Sequence, residues 1–283
     1  MSAMMGGPDA APLSSDRPMP FVLGIPERLF RVEPFQFHPD GLVTSAMPLG
    51  PWLSTDDPGQ DQGPGPAVTP AGALGVLIDD VPGYAIGAVT GTWSISTEIT
   101  LDIVRDLPLD GTMVHAEGRV VHVDEVGALA RGRVRTESGD VVAYCQERGR
   151  WIDRSPPEDV IANGAVTTDE PLDADTFAGL FGHAVTVRPP HLDVTALPRL
   201  ANPLGNLHGG VTLCLTDWLA ALTLPRPART VSIHVHYVRN IPPLTNVQLT
   251  ANIEHPGRSL GVIRVVATNE TGKPCTIGTV VRH

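Results

Sequence analysis

Two clusters in this chain have residue types and spacings that could do chemistry. The first is Asn202-Pro-Leu-Gly-Asn-Leu-His208-Gly209-Gly210, which leads into an apolar run; Asp217 follows nine residues after His208. Two glycines at a helix start let a ligand approach the first backbone N–H groups with no side chain in the way. Those groups have no intrahelical partner, and the helix dipole favours negative charge beside them. This is the geometry that stabilises an oxyanion. Asn202 can add a side-chain donor. Asp217 falls two turns into an otherwise apolar helix, where a carboxylate must be paired or used. The second cluster is Asp79-Asp80, at the end of an earlier apolar run from Ala71 to Val81.

Other reactive residues point nowhere as strongly. His234 and His236 are spaced i, i+2 on one strand face, which suits a metal, but no third ligand is evident in the sequence, so a structural role is expected and no metal. His122 and His255 recur before strands and read as turn or packing residues. Ser232 or Thr230, at the start of the strand after the second apolar run, could hold a nucleophilic water. Cys145, Cys214 and Cys275 form neither a metal spacing nor a CxxC pair and read as reduced thiols. There is no GxSxG elbow, Walker loop or HExxH.

The elements that must position these groups come in two sets. Val104-Arg-Asp-Leu-Pro108 matches Val238-Arg-Asn-Ile-Pro242 at an offset of 134, and the segment from His122 matches that from His255 at 133. Leu77-Ile-Asp-Asp80 matches Cys214-Leu-Thr-Asp217 at 137. Order and spacing are kept together, which indicates a duplication with a period too long for a solenoid. Each copy starts with an extended segment (35–47 and 184–197), continues with a Gly-bounded apolar run (71–81 and 209–224) and ends in strand-like stretches. In the second copy these cover 230–238, 246–253, 260–269 and 274–282. The 209–224 run is apolar on nearly every side, so its helix must be buried. A buried helix wrapped by an antiparallel sheet is an α+β layout of the hot-dog kind, here in tandem. We expect a tail over 1–20, a first domain over 21–154, a linker over 155–175 and a second domain over 176–283. The Asp56–Pro66 insert reads as a loop.

Composition narrows the partners. With 283 residues, 42% of them hydrophobic and 18% charged, the chain can bury a core and is not a disordered one. A net charge of -11 with Lys273 as the single lysine offers no basic face for nucleic acid. Anionic ligands must be held by arginines, histidines or backbone N–H groups, with Arg239 and Arg258 as candidates. No cationic start followed by an apolar run is seen, nor an evident membrane span, so a cytoplasmic protein is expected.

The stretch NPLGNLHGGVTLCLTD resembles the hot-dog thioesterases of the phenylacetate-pathway (PaaI-like) type, whose pattern is Asn, a short loop, Gly, His-Gly-Gly, an apolar helix and an acid. YVRNIPP, from Tyr237, is similar to that family's strand ending before a proline. The resemblance implies hydrolysis of an acyl-CoA thioester, with no cofactor beyond the coenzyme A of the substrate. The N–H of Gly209 would polarise the carbonyl, with Asn202 positioning it or a water, His208 shaping the loop and Gly210 leaving room for substrate. In the family the acid comes from the partner's helix. On a duplicated chain the partner is the other half, so Asp80 is expected to face Asn202, His208 and Gly209. A second site, pairing Asp217 with Gly72, lacks the Asn and the His. The rival reading is a non-catalytic acyl-CoA or acyl-carrier binding protein. A homo-oligomer of such pseudo-dimers is also expected.

Overall fold

The computed structural model of the protein describes residues 23–54, 71–157, 174–226 and 229–283. The expected tail, the 56–66 loop and most of the linker lie outside the described residues. A single 12-stranded antiparallel sheet runs through both halves. The first half supplies β1 (Gln36–Phe37), β2 (Val43–Pro48), β3 (Ser94–Ile103), β4 (Met113–Val123), β5 (Gly127–Thr136) and β6 (Val141–Trp151). The second supplies β7 (Val185–Arg188), β8 (His191–Thr195), β9 (Thr230–Tyr237), β10 (Asn246–Pro256), β11 (Gly261–Asn269) and β12 (Pro274–Arg282). The strand order, β1-β2-β4-β5-β6-β3-β9-β12-β11-β10-β8-β7, reads the same from either end once the halves are exchanged. The protein is a double hot-dog, and its seam is the β3–β9 pair, in register from Glu98↔His236 to Asp102↔Ser232.

Among the described residues three α-helices accompany the sheet: α1 (Ile25–Leu29), α2 (Gly75–Thr90) and α3 (Gly209–Thr223). A 3-10 turn over Ala71–Leu74 precedes α2. The segment from Ala71 to Thr90 is long and apolar because it forms a core element, most of it buried. Helix α2 outlasts the expected apolar run and continues through Pro82. Gly118 of β4 makes this possible: a Cβ there would lie 2.9 Å from Val81 and 3.1 Å from the Pro82 nitrogen, so only glycine lets the strand pass so close. α2 and α3 cross at equally short range. A Cβ on Gly75 would stand 2.2 Å from the carbonyl oxygen of Gly210, and one on Gly210 would stand 2.3 Å from that of Gly75. This crossing brings the acidic middle of each helix to the start of the other.

Candidate active site

Each long helix sends an aspartate to the N-terminus of its counterpart. Asp217 Oδ2 accepts the N–H of Gly72 at 2.9 Å, and Asp79 Oδ2 accepts the N–H of Gly210 at 2.7 Å. The counterpart of Asp217 is therefore Asp79, at an offset of 138, and not Asp80. The sequence alignment at 137 is one residue out, because Asp79 and Asp80 are both acidic and either can be matched to Asp217.

The hydroxyl that meets each aspartate also obeys the duplication. Thr97 is the extra residue of a bulge between Ser96 and Glu98 in the β3–β6 ladder, and Val231 is its counterpart between Thr230 and Ser232 where β9 meets β12. Each bulge turns the residue before it toward the helices. Ser96 Oγ then donates to Asp79 Oδ1 at 2.8 Å, and Thr230 Oγ1 donates to Asp217 Oδ1 at 2.7 Å. Ser232, past the bulge, alternates with buried Ile233 and shares the opposite face with His234 and His236, so it does not reach the site.

The two places then diverge. Beside Thr230, Arg282 donates to its hydroxyl at 2.8 Å, and Asp217 and Arg282 are 0% and 1% exposed. Burial raises the Asp217 pKa, opposed by the N–H of Gly72, the Thr230 hydroxyl, the Arg282 charge and the N–H of Ala71. Asp217 thus takes the Gly72 N–H of this helix start for itself. At the second site expected from Asp217 and Gly72, the described residues Asp217, Thr230 and Arg282 and the Gly72 N–H form one hydrogen-bonded cluster.

At the Asp79 end the neighbour is an acid. Glu147 Oε1 lies 3.0 Å from Ser96 Oγ. Burial, then the charge of Asp79, holds the Glu147 carboxyl well above its ordinary range. A neutral Glu147 resolves an otherwise impossible demand: one serine hydrogen cannot serve two acceptors, so Ser96 donates to Asp79 and the Glu147 carboxyl donates to Ser96. Three further groups close in. His208 caps α3, with Nδ1 3.1 Å from Asp79 Oδ2 and Nε2 3.3 Å from Asp80 Oδ1. Burial would lower the His208 pKa, but Asp80 and Asp79 outweigh it and raise it well above the usual imidazole value. The Gly210 N–H lies between two acceptors, Asp79 Oδ2 at 2.7 Å and His208 Nδ1 at 3.0 Å. Asp80 is raised by burial against the pull of His208. Glu27 of α1, fully buried 3.9 Å from His208 Nε2, is pushed up to about 8 by burial and by Asp80.

The first N–H of α3 faces this cluster. Among the described residues the Gly209 N–H has no acceptor, whereas its carbonyl receives the Tyr237 hydroxyl at 2.8 Å. Gly209 lines a cleft of about 130 Å³ together with Asp79, Asp80, Ser96, Glu147 and His208. Tyr84, Trp93, Ile95, Leu204 and Ile241 give it an apolar wall. Asn202 lines it too, and its Oδ1 accepts the N–H groups of Leu204 and Asn206, both at 3.1 Å, so the carbonyl end of this side chain shapes the loop. Arg239 lines the cleft while donating to the Pro274 carbonyl. Arg258 sits exposed in the β10–β11 turn, away from the cleft lining.

Sequence reasoning thus names Asp80, Asn202, His208, Gly209 and Gly210, and the fold gathers all five. It misses Asp79 as the counterpart acid, along with Ser96, Glu147 and Glu27. Ser96 was findable: it lies 134 before Thr230, the offset of the Val104 and Val238 blocks. Glu147 carries no such signal, because the second half has no acid in that role.

Residues 197–283 match the family described as acyl-CoA thioesterase N-terminal domain; here the matching segment is the second half of the chain. No curated protein sequence matches the chain. Among solved structures, a 12:0-ACP thioesterase from Umbellularia californica is 9% identical with a TM-score of 0.57, covering 86% of this chain and 94% of that one. An acyl-ACP thioesterase from Bacteroides thetaiotaomicron is 13% identical with a TM-score of 0.54, covering 86% and 98%. A MaoC-like dehydratase is 15% identical with a TM-score of 0.56, covering 79% and 86%. These likenesses show the fold, and the family match supports a thioester hydrolase.

Proposed function

We propose that the protein hydrolyses acyl-CoA thioesters at the cleft between its halves. The observation that carries this reading is the Gly209 N–H at the start of α3, beside carboxylates delivered by α2. A thioester carbonyl that accepts this N–H has its developing negative charge stabilised by a fixed donor and by the helix dipole. Asp79, pressed against Gly209 and held by Ser96 and Gly210, is the general base. It takes a proton from a water whose oxygen attacks the carbonyl carbon. The C–S bond then breaks as the carbonyl re-forms, and the departing thiolate recovers the proton from Asp79, giving the free acid and the thiol.

Asp80 and His208 have supporting parts in this scheme. The imidazolium of His208 offsets the charge of the two aspartates and fixes the Asp79 carboxylate, and Asp80 holds the far ring nitrogen. Neutral Glu147 orients Ser96. The side-chain amide of Asn202 is a second donor toward the carbonyl, and Arg239 is placed to meet an anionic part of coenzyme A. The phenylacetate-pathway subtype rests on the NPLGNLHGG pattern, and the apolar wall of the cleft admits aryl or aliphatic acyl groups.

A thiol-reactive dye with a series of acyl-CoA chain lengths tests the reading. Turnover with stoichiometric free thiol is expected. Tight binding without thiol release would assign the protein as an acyl-CoA binder instead, and hydration of an enoyl-CoA without thiol release would assign a dehydratase chemistry.

A further inference from the structure

We infer that the outer face of the β3–β9 seam is a binding site for one divalent transition-metal ion, ligated by Glu98, His234 and His236. The sequence shows only the two histidines; the third ligand comes from the other half of the chain. Glu98 is directly opposite His236 across the seam, and His234 lies two residues back on the same face. One ligand atom from each of the three residues can be chosen so that all lie within 4.8 Å of one another. Glu98 Oε1 is 3.1 Å from His234 Nε2, and the two imidazole rings have centroids 4.3 Å apart.

These separations suit a metal. Donors about 2.1 Å from a tetrahedral ion stand roughly 3.4 Å apart. The Glu98–His234 pair is already at that range, and a side-chain rotation of His236, which is exposed, closes the rest. Independently, His234 Nε2 is buried and makes no hydrogen bond among the described residues, despite its nearness to Glu98. A buried imidazole nitrogen without a hydrogen bond is an unmet demand that a cation satisfies. Two imidazoles and one carboxylate suit zinc, iron or nickel better than magnesium or calcium, and leave coordination positions open. Arg148 pairs with the other Glu98 oxygen, Oε2, at 3.9 Å, which leaves Oε1 facing His234.

The site is separate from the cleft. It lies on the sheet face away from the helices, and its ligands come from both halves, so an ion there would pin β3 to β9. The test uses the untagged full-length chain, freed of metal by chelation, and zinc as the probe. Isothermal titration should give one equivalent of Zn2+ per chain. His236→Ala, His234→Ala and Glu98→Gln should each weaken it tenfold or more, and His122→Ala should not. Co2+ should give a visible d–d spectrum that His236→Ala abolishes, and Zn2+ should raise the Tm of wild type but not of His236→Ala. His236 is exposed, so its replacement leaves folding intact. Absence of stoichiometric binding, or binding that the three substitutions leave unchanged, overturns the proposal.

Discussion

The crossing of α2 and α3 at Gly75 and Gly210 makes a quantitative demand. Gly75→Ala would normally favour a helix by about 1 kcal/mol. Here the new methyl group would stand 2.2 Å from the Gly210 carbonyl oxygen, which is backbone and cannot swing aside. Real contacts of this kind stay above 3.0 Å, so the helices must separate by at least 0.8 Å. Overpacking of that kind costs about 3 kcal/mol, at the upper end of its usual range. The net loss of about 2 kcal/mol corresponds to a fall in Tm of roughly 4–8 °C for a chain of this size. The same separation would stretch the 2.7 Å bond from the Gly210 N–H to Asp79 to about 3.5 Å, the limit of a hydrogen bond. Misplacement on the order of 1 Å costs about 10²-fold in rate. Calorimetry together with thiol release from an acyl-CoA measures both. A Gly75→Ala protein with wild-type Tm and wild-type turnover would refute the close crossing and the coupling of the two helices to the site.

Further outcomes follow from the same geometry. Asn202→Asp keeps an oxygen for the N–H groups of Leu204 and Asn206 but removes the amide donor; the Tm should hold while turnover drops about 10²-fold, and unchanged turnover would confine Asn202 to shaping the loop. Ser96→Ala should slow hydrolysis while Thr230→Ser, in the Asp217 cluster, leaves it near wild type, as initial rates would show. Glu27 titrates near 8 when folded, above its ordinary 4.5, so the folded state holds the extra proton and stability falls as pH climbs through that window. His208, also raised, adds stability that is full below its ordinary 6.5 and is lost as pH rises through its folded value. Thermal melts across this range should therefore decline toward alkaline pH, and Glu27→Gln should flatten the part below 8; an unchanged slope would place Glu27 outside the proton-linked cluster.

Much of the architecture was legible because burial leaves a periodic trace. The 209–224 run became α3 over Gly209–Thr223, and the stretch at 274–282 became β12 over the same residues. The duplication implied the paired halves, and the strand order confirms them. The site was legible only in part, for three physical reasons. Two adjacent aspartates cannot be told apart by an alignment with a one-residue ambiguity, although a helix points them 100° apart. A β-bulge changes which residue faces inward, so Ser96 and Thr230 reach the acids and Ser232 does not. Glu27 next to Arg28, and Glu147 between Gln146 and Arg148, look in sequence like ordinary surface acids, and only three-dimensional packing shows that they share one buried cluster with His208.

The most direct test of the account is the rate of free-thiol release from an acyl-CoA by Asp79→Asn, Asp80→Asn and Asp217→Asn, each normalised to folded protein. Removing the base should lower the Asp79→Asn rate by 10²-fold or more, on the scale of about 10²–10⁴ for a lost general base. Asp80→Asn, which loosens His208, should fall less, and Asp217→Asn should retain most of the activity that its folded fraction allows. Full activity in Asp79→Asn, with activity abolished in folded Asp217→Asn, would contradict an active site formed by α2 of one half and the start of α3 of the other.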